Sequence, residues 1–296
     1  MVCACIDIGS NTTRVLVAEA APGRLTELLQ HRVFTRLGRA LDAAGAIPRA
    51  KIEEVVAVVA EQRALAERHG VQALRVVATA AVRDAANRDE LVDAVRRDDG
   101  LELAVLTGEE EARLAFLGAT ATLASPPAGR IGVVDVGGGS TELAVGTVAG
   151  GVEWCASVRV GSSVLAERHV SSDPPTAAEL DAMRAAARAA LADVDVPRVD
   201  VALAVGGSAT SLRRLVGPVL ADDALRAALA VLTGSPCREV ALRHELEPER
   251  VPLLPAGILV LAAAAERLGR PMAIGNGGLR EGVLLDLAGG GIMTSR

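Results

Sequence analysis

Two stretches of the chain share one pattern of apolar and polar positions. ACIDIGSNTTRVLVAEA (residues 4–20) lays over GVVDVGGGSTELAVGTV (residues 132–148), so Asp7 meets Asp135, Gly9 meets Gly137, Thr13 meets Thr141 and Val17 meets Val145. Each copy reads as an apolar strand, a turn of Gly, Ser, Asn and Thr, and a second apolar strand. That pattern predicts a β-hairpin with an acid near the end of its first strand. Its repetition predicts two copies of one ancestral domain. The second copy begins near SPPAG at residues 125–129, whose composition marks a linker. We expect domains over residues 1–124 and 125–296, with the last helix able to pack back on the first.

Between and after the hairpins the periodicity alternates. Residues 51–69 read as an amphipathic helix stopped at Gly70, 73–78 as a strand, 89–97 as a helix, 101–106 as a strand and 109–123 as a helix. In the second half Thr176 with Glu179 forms a capping box that opens an Ala-rich helix. Residues 201–205 read as a strand, 211–215 as a helix start and 255–268 as a buried helix. Strands followed by alternating helices and strands define an α/β domain, present twice.

Composition narrows the chemistry. Half of the 296 residues are hydrophobic, yet aromatics are limited to Trp154, Phe34 and Phe116, which argues against base stacking on an aromatic platform. The net charge of −6 argues against general adhesion to nucleic acid or to an anionic membrane, and any anion must be captured locally. Cys3, Cys5, Cys155 and Cys237 form no CxxC or disulfide framework, and Cys3 and Cys5 read as small core residues on one strand face. The four His are scattered, unlike a zinc site. The N-terminus carries no basic leader, and the apolar run 251–265, interrupted by Pro252 and Pro255, falls short of the ~18 residues of a membrane span. A cytoplasmic enzyme with no nucleic-acid or membrane partner is the expectation.

The candidate chemistry lies in the turns. Gly137, Gly138 and Gly139, followed by Ser140 and Thr141, expose successive backbone N–H groups and hydroxyls suited to an anion. Ser10, Asn11 and Arg14 offer the same kind of donors plus a guanidinium in the first copy. Tight hairpin turns also need glycine, but duplication with an acid in register strengthens the phosphate reading. Strands follow both loops, so a dinucleotide fingerprint, which needs a helix there, fails. Gly207 and Ser208, between a strand and a helix start, form a third phosphate candidate or an ordinary helix cap. Asp7 and Asp135 suit a divalent cation that bridges carboxylate and phosphate, or accept turn N–H bonds. Glu109 and Glu110 are normal first-turn acids, and Thr107 with Glu110 is a second capping box. Glu111 differs: Leu114, Ala115 and Gly118 follow it on one face. A carboxylate on such a packed face should have a raised pKa, useful in a base that activates water.

In combination these motifs resemble the exopolyphosphatase / guanosine pentaphosphate phosphohydrolase family, within the actin/hexokinase/Hsp70 superfold. The resemblance runs through DIGSNTTR (7–14), RLGRALDAAG (36–45), ATAAVRDAANRDE (78–90), GEEEARLAFLGA (108–119), DVGGGSTEL (135–143), VGGSATSL (205–212) and GLREGVLL (278–285). It implies an α/β fold of two actin-like (ribonuclease H-like) domains with a cleft between them as the active site. It further implies Glu111 as general base, a phosphate site including Asn11, Arg14, Glu142 and the glycines of the second loop, and Arg83 on substrate phosphates. Arg83 and Asp84 also read as a solvated loop ion pair. Asp135, with Asp7 and Glu142, is expected near Mg2+ or another divalent cation. Glu142 occupies the repeat position of Arg14. The chain departs from the family pattern at Thr12, at Ala80 and in the run before Pro255. Longer members carry a further helical C-terminal region, so this chain resembles a short form, with a possible homodimer as its assembly.

The expected activity is release of terminal phosphate from inorganic polyphosphate. Hydrolysis of guanosine pentaphosphate at the same site is the alternative enzyme reading. A sugar or acetate kinase would need an acceptor pocket and a nucleotide site that the sequence does not point to. A non-catalytic phosphate or alarmone sensor would bind without releasing phosphate.

Overall fold

The computed structural model describes residues 1–21, 24–125 and 127–289. The chain divides into two compact units: Met1–Thr122 with the residues from Gly277 on, and Leu123–Asn276. Unit 1 runs β1 (Val2–Ile8), β2 (Thr13–Ala21), β3 (Arg24–Val33), α1 (Leu37–Ala40), α2 (Arg49–Glu67), β4 (Ala73–Ala78), α3 (Ala80–Arg83), α4 (Arg88–Asp99), β5 (Leu103–Val105) and α5 (Gly108–Ala121). Unit 2 opens with β6 (Ile131–Val136), β7 (Thr141–Thr147), β8 (Gly151–Val158), α6 (Ser162–His169), α7 (Ala177–Leu191), β9 (Val201–Val205) and α8 (Gly206–Val216). It closes with β10 (Val219–Leu220), α9 (Asp222–Thr233), α10 (Cys237–His244), a 3-10 turn at Val251–Leu253, α11 (Leu254–Leu268) and β11 (Met272–Ile274). The last helix, α12 (Leu279–Ala288), belongs to unit 1. Pro126 of the SPPAG run and residues 290–296 lie outside the described residues.

The duplication extends beyond the hairpins to the sheets. Sheet 1 has the order β3-β2-β1-β4-β5 and sheet 2 the order β10-β11-β9-β6-β7-β8. In each, the first three strands form an antiparallel meander, and the first strand then pairs in parallel with the strand after a helical crossover. The hairpins expected from sequence therefore carry a third strand, β3 or β8. Parallel pairing brings the ends of β1, β4 and β5 to one edge of sheet 1, and the ends of β6 and β9 to one edge of sheet 2. In open α/β sheets that carboxyl edge is where ligands bind.

Period-two alternation sorts the core of sheet 1. Ala4, Ile6 and Ile8 face α2 and α4, whereas Cys3, Cys5, Leu16 and Val77 pack with Leu114 of α5 and Val283 and Leu284 of α12. The two cysteines do share one face, both fully buried. Asp7 falls on that same face, at its carboxyl end. α12 approaches α5 to backbone contact: a Cβ at Gly118 would strike Gly278 and Gly282, and one at Gly282 would strike the Leu114 carbonyl. Two ion pairs fix α12 to the sheet, Arg280 to Asp7 at 3.5 Å and Asp286 to Arg75 at 2.6 Å.

Both predicted capping boxes form, Thr107 with Glu110 on α5 and Thr176 with Glu179 on α7. One expectation changes. Val251–Leu268 is helical over 18 residues with a mean hydropathy of 1.6, so it reaches the length of a membrane span. Of that stretch 72% is buried within the protein, and α11 packs among α6, α7, α8 and α9 as the central helix of unit 2.

Candidate active site

The two glycine-rich turns are built by one hydrogen-bond scheme. The Gly9 N–H donates to the Thr12 carbonyl at 3.0 Å, and the Gly137 N–H to the Ser140 carbonyl at 3.0 Å. Val33 pairs with Thr13 and Val158 with Thr141. Five residues beyond each strand end, a backbone N–H returns to the turn: Gly38 to the Ser10 carbonyl at 2.8 Å, Ser163 to the Gly138 carbonyl at 3.0 Å. The Arg36 N–H also takes the Asn11 carbonyl at 2.9 Å, and the Ser162 N–H takes the Gly137 carbonyl at 2.9 Å. In a trans peptide the N–H points opposite the carbonyl. Carbonyls drawn back in this way aim the N–H groups of Asn11, Thr12, Gly138 and Gly139 to the other side, which is how a backbone cradle for an anion forms.

The threonine hydroxyls next to the turns are structural. Thr13 Oγ1 and Thr35 Oγ1 are 3.0 Å apart, and the Thr141 hydroxyl donates to the Val160 carbonyl at 2.5 Å, all buried. Thr141 therefore does not add the anion donor that its sequence position suggests. Ser10 and Ser140 are buried in their turns, and Arg14 Nε donates to Thr12 Oγ1 at 3.1 Å, which steadies the guanidinium over the first turn.

The third candidate is a helix end rather than a loop. α8 starts directly at Gly206, whose φ of 80° suits glycine, so residues 206–211 are its first turns. A Cβ on Gly206 would meet Asp135 Oδ1, and one on Gly207 would meet the Arg250 guanidinium. Ser208 is buried against Gly257 of α11, where a Cβ would lie 3.1 Å from its Oγ. Its side chain thus faces the core, and the helix end offers backbone N–H groups to an anion. Arg250, 9% exposed, was not singled out in the sequence. Its only signal is a cation just before the apolar run of α11.

The repeat places different partners opposite each acid. Asp7 pairs across the strands with Arg14, whereas Asp135 pairs with Glu142. Directly opposed residues lie on one face, with Cβ atoms ~5 Å apart. Asp7 also meets Arg280 of the motif GLREGVLL, a partner that no local spacing in the sequence signals. Its Oδ1 is buried without a hydrogen-bond partner, and burial raises its pKa, with Arg280 opposing the shift. Glu142, 4% exposed, accepts from the Ser157 hydroxyl at 2.8 Å. Of the three expected metal ligands, Asp135 and Glu142 are brought together and Asp7 is set among arginines. No cluster of three His, Cys, Asp or Glu suited to a metal occurs among the described residues. Mg2+ needs only one or two carboxylates when phosphates and water complete its shell, so the Asp135–Glu142 pair fits such a cation and Asp7 fits it less well.

Glu111 sits in the first turn of α5, buried at 5% exposure on the face with Leu114 and Ala115. The Arg83 guanidinium, from the short helix after β4, reaches it: Nη1 donates to Glu111 Oε1 and, at 2.7 Å, to the Leu106 carbonyl. Arg83 is neither a solvated loop cation nor mainly the partner of Asp84, which lies 3.9 Å from its Nε. The face of Glu111 is packed, as its spacing indicates, but it carries a cation as well. Thus a buried carboxylate and a backbone cradle share the carboxyl edge of sheet 1, and paired carboxylates with a second cradle share that of sheet 2.

A model of the Ppx/GppA phosphatase family matches residues 16–289. The chain belongs to that family. Exopolyphosphatase 1 of Mycobacterium leprae is 31% identical over 95% of this chain and 87% of its own length. A guanosine-5'-triphosphate,3'-diphosphate pyrophosphatase of Aeromonas hydrophila is 30% identical over 97% of the chain but 59% of its own length. The crystal structure of the Aquifex aeolicus Ppx/GppA family member superposes with a TM-score of 0.82, at 30% identity over 97% of each chain. The two sheets with their helices are accordingly actin-like, and Ppx/GppA members are hydrolases of phosphoanhydride bonds.

Proposed function

We propose that this Ppx/GppA protein is an exopolyphosphatase that removes terminal orthophosphate from inorganic polyphosphate. The observation that carries the reading is Glu111: a buried carboxylate at the carboxyl edge of sheet 1, the edge that also presents the Gly9–Arg14 cradle. Water attacks the terminal phosphorus and Glu111 accepts its proton. The new P–O bond forms as the anhydride P–O bond breaks, and the shortened chain leaves as a phosphate oxyanion. In unit 1 the N–H groups of Asn11 and Thr12 and the guanidinium of Arg14 stabilise the spread negative charge, and in unit 2 the N–H groups of Gly138, Gly139 and the α8 end at Gly207 and Ser208 suit phosphate oxygens. A divalent cation such as Mg2+, held by Asp135 and Glu142 together with substrate oxygens, would neutralise further phosphate charge. The same reading takes the protein as a cytoplasmic enzyme and a homodimer, without nucleic acid or membrane as partner.

The relative named exopolyphosphatase is covered over more of its length than the pyrophosphatase, which favours polyphosphate over guanosine pentaphosphate. Release of phosphate from polyphosphates of defined length, run beside guanosine pentaphosphate, decides the substrate. Glu111→Gln is expected to lose ~10²–10⁴-fold in turnover, the usual worth of a positioned base, while still binding polyphosphate. Turnover at the wild-type level in that variant removes the mechanism. Tight binding with no release by the wild type would make the protein a sensor.

A further inference from the structure

Arg83 stands in an unexpected place. A cation meant for substrate phosphate would be aimed at an anion cradle, yet Arg83 Nη1 is committed to Glu111 Oε1 and to the Leu106 carbonyl. The guanidinium is planar and stiff, so two acceptors on one nitrogen leave its plane little freedom. Both residues are tied to the sheet: β4 and β5 pair in parallel, Ala78 opposite Val105, and α3 and α5 follow directly from them. The side chains are 20% and 6% exposed, so the pair is largely shielded from water.

Several other charges near α5 have partners away from Glu111. Glu110 caps the Thr107 N–H at 2.7 Å. On α12, packed against α5, Arg280 meets Asp7, Glu281 accepts from the Gly278 N–H at 2.8 Å and Asp286 meets Arg75. Asp84 lies at the far nitrogen of Arg83, 3.9 Å from Nε. Arg83 contacts the proposed base directly.

We propose that Arg83 is a positioning residue for Glu111, holding the carboxylate oriented and ionised to accept the proton of water, and is not a ligand of the substrate phosphates. The inference rests on Glu111 being the base. A buried carboxylate left alone would tend to keep a proton and fail as a base; a charge-assisted bond to a fixed guanidinium favours the ionised form.

The test uses the full-length protein with polyphosphate of one defined length. Arg83→Gln is expected to lower kcat ~10–100-fold, a share of the worth of a positioned base, with KM changed less than about twofold. The acid limb of its kcat/KM profile should move to higher pH. Arg83→Lys, which keeps the charge without the fork, should restore the acid limb but only part of kcat. A second readout needs no turnover: polyphosphate affinity should be the same in Glu111→Gln and in Glu111→Gln/Arg83→Gln, because a residue that acts only through Glu111 has nothing left to position. A tenfold loss of affinity in the double variant, or a raised KM with an unmoved acid limb, would overturn the proposal. An active Glu111→Gln would instead overturn the base assignment, so the two failures are distinguishable. Circular dichroism of each variant separates loss of fold from loss of function, and Arg83→Lys carries the test if Arg83→Gln does not fold.

Discussion

The hairpin of unit 1 and the hairpin of unit 2 share a backbone and differ in charge. Both turns close through the same bond, and both are held from behind by an N–H five residues past the third strand. Across the strands, however, unit 1 sets Asp7 against Arg14, with Arg280 added from α12, while unit 2 sets Asp135 against Glu142. Like charges directly opposite one another cost energy in a sheet. Such a pair is retained at a cost in stability where a cation or a reaction uses it. Duplication therefore preserved the turn and let the charge beside it diverge, toward acid–guanidinium pairing in one copy and toward paired carboxylates in the other.

The sharpest way to break this comparison is to write the first copy into the second. Glu142→Arg recreates the acid–base pairing of Asp7 and Arg14 at Asp135. It should cost ~10²–10³-fold in phosphate release, the scale of losing one transition-state stabiliser, and should flatten the response to added Mg2+. Glu142→Gln, nearly isosteric in a site that is 4% exposed, separates the effect of charge from that of size. Activity that stays high and stays Mg2+-dependent in both variants would mean the carboxylate pair holds no metal.

The hairpins were legible because apolar periodicity and repetition reinforce each other. The strands that complete the meanders were not. β3 reads RLTELLQHRV with most positions at least partly exposed, so an edge strand lacks the apolar signal of a buried one. β10 and β11 span only two and three residues. The start of α8 is not legible, because Gly206 and Gly207 read as a loop whereas one positive φ turns strand directly into helix. In the site, Glu111 announced itself through Leu114, Ala115 and Gly118 on its own helix. Its pairing with Arg83, 28 residues away, is set by the β4–β5 register, and that of Asp7 with Arg280 spans 273 residues. Local spacing records which face a residue occupies. It does not record what the fold brings to meet it.

A smaller effect sharpens the backbone half of the comparison. The two cradles are buttressed at different closeness. A Cβ on Gly161 would run into the backbone of Gly138 and Gly139, while one on Gly38 would lie 3.3 Å from the Ser10 Cβ and 3.4 Å from its carbonyl oxygen. Gly161→Ala should destabilise the protein by ~1–3 kcal/mol, as overpacking does, and should weaken polyphosphate binding because the second turn is displaced. Gly38→Ala should stay within ~1 kcal/mol, since the helix preference of alanine offsets the tight contact. Denaturant midpoints for the two variants check this. Equal losses would show that both turns are equally rigid.

The smallest effect concerns the charge that unit 1 keeps to itself. Burial holds the Asp7 carboxyl above its ordinary value even though Arg280 pulls the other way. A carboxyl raised in the folded chain binds its proton more readily there than in the unfolded chain. It therefore costs stability where it is ionised, and the cost fades as pH falls through the raised value toward the unfolded one near ~4. Asp7→Asn should accordingly melt slightly higher than the wild type at neutral pH, with the advantage shrinking in acid and gone once the unfolded carboxyl is also protonated. Thermal melts of both proteins across that range measure it. If the variant instead melts lower at neutral pH, the attraction of Arg280 outweighs burial, and Asp7 is a structural anchor for α12 rather than a strained acid kept beside the first cradle for use.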